Sequence, residues 1–537
     1  MSQNMKNINI KILTIVLSIV AGTYSCSDFL DQLPKTSLSP QQAYTDLNVL
    51  EPLVDGLYTT YANAKSGRAG LTFTMLGLDE TKQGIVQMTD AGQAGLDNYD
   101  GMLNQSSSQV SEMWQRRWPT VNVAAQSIRG LELLAENTTD STTLNKIKLL
   151  RANACFVRAM CMFELTMYWG EVPVIEIQDL NNTAIDMSRK PLNVVWTQIF
   201  DDLTYASQHL TKGKQTGSRA TVGAAIAMLG KLFMYAPVES GYRNFDTARG
   251  YFAQILNSYS LEPKYSTLFD EYGKFEFNSN ESVFELNYIC NSQAPNYWQW
   301  DMGSRTLASL GESCYIGGYD VVLPTEYAYK MQAAGGVWED GDQRKDVSIR
   351  TDFTYHGQKY TIPSWGADEL DPHIKKYEDR RLDKFTSTTL ATDATSGRSI
   401  YWSGKNYPLI RFADVLLCYA ECLNELGNTT DAMTVVNRVR MRAWGGILPA
   451  DKEWTGLSQD QFRVNIMDER MRELCFEGWR RMDLIRTGNF VKLIKERNPW
   501  AKAKGTIQDF NVRWPIPEIE LKNNPYMDVT KDQNPGY

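Results

Sequence analysis

The sequence predicts a predominantly helical protein, with stacked helical hairpins on one side and an irregular, loop-rich half with short β-strands on the other. Three observations predict it. Long stretches early and late in the chain place apolar residues at three- and four-residue steps, the period of an amphipathic helix. The stretch 411–443 doubles back on itself across a Gly–Asn turn. Between about residues 260 and 405 the helical period is lost, and glycines, aromatics and short β-rich runs such as SVFELNY (282–288) alternate instead.

The chain opens with Lys6 and Lys11, followed by the apolar run Ile12–Val20, which Ala21 and Gly22 close. This is the layout of a secretory signal peptide over residues 1–25. The run falls well short of the roughly 20 residues that a membrane-spanning helix needs, so the chain is expected to be exported without spanning a membrane. Cys26 follows the small Ser25. These residues alone leave three roles open for it: a core thiol, half of a disulfide, or the first residue of the mature chain.

From Gln41 to about Ala62, Ala43, Leu47, Leu50, Val54, Leu57 and Tyr61 recur at helical spacing and predict a first amphipathic helix. A Gly-rich stretch without period follows from Lys65 to Ser108, and a loop of that length in a compact domain is functional or disordered. Helices are predicted over Glu112–Glu136, over Leu144–Trp169 with Gly170 as the stop, and over Val194–Leu210, Thr221–Tyr235 and Asp246–Asn257. In the hairpin 411–443, Val415, Leu416, Tyr419, Leu423 and Leu426 form one apolar face and Ala432, Val435, Val436 and Val439 the other. Gly427 and Asn428 make the turn, and Thr430 or Asp431 can cap the second helix. Two such helices joined tightly are the unit of a tetratricopeptide-like repeat.

The chain has 63 acidic against 55 basic residues, a net charge of −8, and loss of the leader removes two further positive charges. That balance argues against a nucleic-acid partner or an anionic membrane surface. The 14 Trp and 27 Tyr fit a partner held by aromatic stacking and neutral hydrogen bonds. Of eight cysteines, Cys155 with Cys161 and Cys418 with Cys422 fall inside helical patterns, where cysteine behaves as a small buried hydrophobe, so most are expected to be unpaired.

The three histidines, His209, His356 and His373, are far apart, and there is no HExxH, GxSxG or paired CxxC. Neither metal nor nucleophilic chemistry has its parts, and no cofactor is expected. Glycosidase chemistry needs two carboxylates flanking a cleft. The pairs Asp79 with Glu80 and Glu469 with Glu473 qualify only nominally, since the second lies at helical spacing among Arg470, Arg472, Arg480 and Arg481 and reads as ion-paired structure. Arg411, Asp414, Glu477, Asp483 and Arg486 are assigned to structure for the same reason; if buried, they must be paired.

Sugar recognition needs flat rings against pyranose C–H faces and polar groups beside them. QAPNYWQWDMGSR (293–305) supplies Tyr297, Trp298 and Trp300 with Asn296, Gln299, Asp301 and Arg305. Three rings in four positions cannot all be buried on one face, so at least one should reach solvent or ligand. A second cluster, CYIGGYD (314–320), sets Tyr315 and Tyr319 around a Gly pair. Trp114, Trp118, Trp169 and Trp479 lie on helical faces or at helix ends and are expected in the core.

The segments YPLIRFADVLLCYAECLNELGN, DERMRELCFEGWRRMDLIRTGNF, RWPIPEIELKNNP and the terminal QNPGY resemble the C-terminal half of the SusD/RagB family of outer-membrane nutrient-binding lipoproteins. CSDFLDQLP, LRANACFVRAMCMFELTMYWGEVPVI and NESVFELNY agree with it upstream, so the resemblance covers essentially the whole mature chain. It implies a single domain over residues 41–537 with about four tetratricopeptide-like helix pairs and a less regular ligand-binding half. It also implies a protein that is not an enzyme and that captures oligosaccharide, or in some relatives peptide, for a SusC-like TonB-dependent transporter. Cys26 in TYSC resembles a lipobox, although Thr23 and Tyr24 depart from its usual pattern. On this reading Cys26 carries the lipid, residues 26–40 are a tether, and the protein sits on the outer membrane at the cell surface. The family site is drawn from the loop after the first helix and from the middle region, which adds Asp79 and Tyr99 to Asn296, Tyr297, Trp298, Trp300, Tyr315 and Tyr319. Peptide capture, and a helical-repeat scaffold for proteins alone, are the alternatives.

Overall fold

The structure, a computed structural model, describes residues 46–176, 185–269, 279–289, 296–305, 317–355, 358–361, 372–380 and 403–537. The expected leader, Cys26, the tether and Tyr315 lie outside the described residues.

α1 (Leu47–Ser66) begins where Asp46 accepts a hydrogen bond from the Asn48 N–H, and it buries Leu50, Val54, Leu57 and Tyr61 as their spacing predicts. The stretch 65–108, expected to be irregular, carries a π-helical turn (Arg68–Thr72) that runs into a three-residue helix (Phe73–Met75), a two-residue strand (Thr81–Lys82), a 3-10 turn (Gln87–Thr89) and one longer helix, α2 (Ala91–Asn98). The single helix expected over 112–136 is two, α3 (Ser108–Gln115) and α4 (Trp118–Glu136). Pro119 accounts for the break. It has no N–H to donate, so it sits in the first turn of α4, where none is needed. α5 (Ser141–Trp169) starts on Asp140, which accepts from the Thr143 N–H, and stops at Gly170, whose φ of 81° favours glycine.

α6 (Leu192–His209), α7 (Val222–Tyr235) and α8 (Phe245–Ala253) follow, all within a few residues of expectation. The five-residue helix α9 (Trp298–Met302) belongs to the irregular half. The hairpin is α10 (Phe412–Glu425) and α11 (Thr429–Ala443), and its small residues Ala420 and Ala432 are buried where the helices meet. α12 (Gln459–Leu474), α13 (Arg480–Arg486) and α14 (Phe490–Arg497) complete the frame.

Each frame helix packs on its neighbours in the series α1, α4, α5, α6, α7, α8, α10, α11. Among the described residues this is a row of four successive helix pairs, the helical-repeat scaffold that the sequence predicts. Among the described residues the β-structure is confined to two-stranded sheets and isolated bridges. The most buried, Ser282–Leu286 against Tyr407–Arg411, is antiparallel with Tyr407 opposite Leu286. It brings together the two ends of the irregular region and leads directly into α10. Cys155, Cys161, Cys418, Cys422 and Cys475 are buried, unpaired thiols.

What fixes the irregular half to the frame is ionic. Arg411, at the end of its strand, reaches Glu281 (2.7 Å) before the partner strand, Glu473 (2.8 Å) on α12, and Glu477 (2.8 Å). Arg442 on α11 also joins Glu281 and Glu473, and Arg344 from the irregular half joins Glu469 and Glu473. All these side chains are buried, so the expectation that burial would demand pairing is met. We expect Arg411→Met to lower unfolding free energy by about 3–5 kcal/mol, because it strands buried carboxylates. Arg129→Ala, which removes a partly exposed pair with Glu132, should change it by less than about 1 kcal/mol. Urea denaturation tests both, and comparable losses would contradict the assignment.

The same groups set a pH dependence. Burial raises the Glu469 and Glu473 carboxyls, but Arg344, Arg411, Arg440, Arg442 and Arg472 outweigh it and hold both below the ordinary range. A depressed folded-state value means stability that is present above the unfolded value of about 4.3 and lost as pH falls below it. Glu285 has the opposite sign. Burial pushes it up to about 7 against hydrogen bonds from Ser282 and Asn406, so its ionisation costs stability as pH rises from about 4.3 to 7. Melting temperatures should therefore drop below about pH 4. The difference between Glu285→Gln and the parent should shift in favour of the variant from pH 4.5 to 7 and then level off; a pH-independent difference would refute it.

Candidate functional site

α9 divides its aromatic residues between two faces. Trp298 is fully buried, meets Tyr288, Tyr377 and Tyr407 edge to face at 5.0–5.4 Å, and donates its indole N–H to Lys65 O at 3.0 Å. Asp301, three residues on, faces the same way, where Arg68 Nε (2.7 Å) and the Thr72 hydroxyl (3.1 Å) donate to it. Tyr297 and Trp300, also three apart, take the outer face. Tyr297 is 37% exposed and Trp300 partly so.

The loop 317–322 delivers the next ring. Its backbone runs along α9, with N–H bonds from Gly318 to Ser304 O, Tyr319 to Trp300 O, Asp320 to Gly303 O and Val321 to Asp301 O, all 2.8–3.1 Å. The approach is close enough that a Cβ on Gly318 would lie 2.3 Å from Trp300 O, so the position needs glycine. Tyr319 thereby comes to rest against Trp300 with ring centroids 5.4 Å apart, and remains 39% exposed.

Asp320 anchors the loop. It is fully buried with a φ of 51°, and its Oδ1 accepts from the Arg305 main-chain N–H (3.1 Å) and lies 2.6 Å from His373 Nε2. Its carbonyl accepts from the Gly84 N–H (3.0 Å), and Gln87 donates to Tyr319 O (2.7 Å). The exposed Ile85 and Val86 lie between those two contacts. The result is a surface platform of Trp300, Tyr319 and Tyr297 with Arg68 and Arg305 at its side.

Of the residues expected in the site, the structure brings Trp300 and Tyr319 together and leaves Tyr297, at the start of the helix that carries Trp300, exposed. It corrects four others. Trp298 is spent in the core. Asn296 is buried in a bridge to Ser403 and donates to Lys405 O. Asp79 is fully buried and takes two hydrogen bonds from Arg480 (2.6 and 2.7 Å) and one from Arg497 (3.1 Å). Tyr99 ends α2 in the left-handed region, buried against Phe490 with its hydroxyl on Gly77 O. Tyr315 lies outside the described residues. The loop after α1 does contribute, but through Arg68, Gln87 and the Ile85–Val86 pair. The exposed apolar pair directly after Gly84 was the available signal.

A helical-repeat frame carrying such a platform on its irregular half is the architecture of a binding protein, and the comparisons agree. The family described as starch-binding and associating with the outer membrane matches residues 28–234, and the SusD family matches residues 280–537. The starch-binding protein SusD of Bacteroides thetaiotaomicron is 31% identical over 437 residues, 75% of this chain and 74% of that protein. SusD-like protein P2 of Formosa agariphila is 26% identical over 558 residues, 99% of this chain and 100% of that protein. A solved SusD homolog from Bacteroides thetaiotaomicron has a TM-score of 0.74 at 20% identity, covering 93% of this chain and 98% of that one. A laminarin-binding SusD-like protein has a TM-score of 0.69 at 22% identity, covering 92% and 100%. The chain belongs to the SusD family, outer-membrane-associated binding proteins rather than enzymes.

The division of labour on α9 is testable by stability alone. Trp298→Ala should cost about 3–5 kcal/mol, as for a large ring removed from a packed core. Trp300→Ala should cost less than about 2 kcal/mol. Urea unfolding of the two variants decides, and the reverse order would show that the faces have been misassigned.

Proposed function

We propose that this protein captures oligosaccharide on the Trp300–Tyr319 platform, anchored in the outer membrane by a lipid on Cys26, and passes the glycan to a SusC-like TonB-dependent transporter. The observation that carries the reading is the ring pair itself. Two partly exposed aromatic residues at 5.4 Å, beside the exposed Tyr297, offer the ring faces and hydroxyls that a pyranose needs. Family membership and a laminarin-binding protein of the same fold support the ligand class. The signal-peptide layout before Cys26 supports the anchor.

Calorimetric titration with an oligosaccharide panel tests the site. Trp300→Ala and Tyr319→Ala should each weaken the best ligand by about tenfold or more, since a central aromatic anchor is worth about 2 kcal/mol. Trp118→Ala is the control. With Ile175, Ile185 and Met187 it walls a groove of about 590 Å³ on the helical side, and its loss should leave glycan affinity unchanged. Silence across all glycans with binding to peptides would replace the oligosaccharide reading by peptide capture. In cells, Cys26→Ser should move the protein out of the membrane fraction and abolish lipid labelling; retention there would end the anchor assignment.

A further inference from the structure

We infer that the glycan held at this platform carries an anionic substituent, a carboxylate or a sulfate ester, and that Arg305 reads it; the inference rests on the glycan reading given above. Two guanidinium groups flank the Tyr319 ring, Arg68 with its Cζ 5.1 Å and Arg305 with its Cζ 4.8 Å from the ring centroid. They differ in what balances them. Arg68 is paired with Asp301 at 2.7 Å. The other nearby carboxylate, Asp320, is fully buried and holds the Arg305 main-chain N–H and His373 instead. Among the described residues the Arg305 side chain makes one hydrogen bond, to the neutral Tyr319 carbonyl at 3.1 Å. Among the described residues no carboxylate lies within ion-pair distance of it, and its Nε is buried without a partner.

Most buried arginines of the molecule are balanced differently; among the described residues Arg481 also meets only main-chain carbonyls, Asn511 O and Val512 O, but it is enclosed by Phe490 and Trp514 in the core, whereas Arg305 lies beside an exposed ring. The buried arginines Arg344, Arg411, Arg440, Arg442, Arg470 and Arg486 each meet at least one carboxylate within 3.0 Å. With Nε buried and Nη2 on Tyr319 O, Nη1 is the guanidinium nitrogen that makes no hydrogen bond among the described residues, and Nη2 has a second N–H to offer beside it. This Nη1–Nη2 fork matches the paired oxygens of a carboxylate or sulfate, and its hydrogen bonds to them are charge-assisted. The chain as a whole is negative at −8, so a general positive field cannot recruit an acidic glycan. A local cation without a carboxylate partner among the described residues, beside the stacking ring, supplies that recognition.

Two matched pairs of probes test this by calorimetry on the full mature protein: an oligogalacturonate against its methyl ester, and a sulfated galacto-oligosaccharide against its desulfated form. The charged member of at least one pair should bind about tenfold or more tightly than its neutral counterpart. Arg305→Gln should erase that difference, weakening the charged member about tenfold more than its neutral counterpart. Arg305→Lys, which keeps the charge but loses the fork, should retain part of it and guards against a displaced loop in the first variant. Equal affinities within both pairs, or a preference that survives Arg305→Gln, would overturn the inference. Trp300→Ala separates the two readings: it should weaken charged and neutral members alike. If it does not, the platform reading fails; if it does while Arg305→Gln changes nothing, only the anionic reading fails. Silence of all four probes and of the glycan panel would overturn both.

Discussion

Glu469, Glu473 and Glu477 lie on and just after α12 in a region that water does not reach, and the fold has to neutralise them there. With Glu281, Glu339 and Asp342 they make six carboxylates, met by six cations: Arg344, Lys376, Arg411, Arg440, Arg442 and Arg472. The cations come from α11, from α12, from the strand before α10 and from two places in the irregular half. A charge left alone in such a place costs several kcal/mol, so the cluster is tolerated only when every contributing segment is in position. It therefore acts as a registration device. The irregular half cannot shift against the helices without breaking pairs, and the sheet joining its two ends closes over the same cluster.

A second cluster extends this logic to the helices. Lys231 on α7 meets Asp414 on α10 at 2.6 Å, and Arg470 on α12 bridges Asp414 to Asp483 on α13. The Lys231 ammonium also lies 3.4 Å from the centroid of the Trp479 ring. Repeat helices normally contact only their neighbours, so terminal segments can fray. Here α12 and α13 pack over the row and tie helices distant in sequence through charge. The aromatic platform inherits that rigidity, because α9 is pinned by Trp298 in a ring cluster that includes Tyr377 and Tyr407, and the Tyr377 hydroxyl donates to Phe476 O beside Glu477.

The helices were legible because each buries one stripe and meets its neighbours in order, so period alone placed α5, α6, α7, α10 and α11 to within a few residues. The break before α4 was missed, since apolar spacing carries across Arg116 and Arg117 and only Pro119 reports it. In the site, the arithmetic of three rings in four positions correctly required both faces of α9 to be used. Spacing could not say which ring was inside, because that depends on Tyr288, Tyr377 and Tyr407, which arrive from distant segments. Asp79 and Tyr99 came only from the family resemblance, and both are buried away from the platform. Their polarity suggests a surface, yet Arg480 and Arg497, some 400 residues further on, bury and satisfy Asp79.

That last case separates two uses of arginine in this chain. Arg480 is fully buried and spends both arms of its fork on one carboxylate, so its charge is cancelled and only its geometry remains. Arg68 sits at the platform's edge with a carboxylate of its own, and serves chiefly to hold α9 down through Asp301. Arg305 stacks on the same tyrosine but is held by a backbone carbonyl, which fixes its position without cancelling its charge. A carbonyl is a far weaker counterpart than a carboxylate, so the free energy of neutralising Arg305 is still available to whatever binds next to Tyr319. Most interior charges are paired with a carboxylate and so specify one packing; at the platform the Arg305 charge has no such partner among the described residues, which is what the proposed recognition draws on.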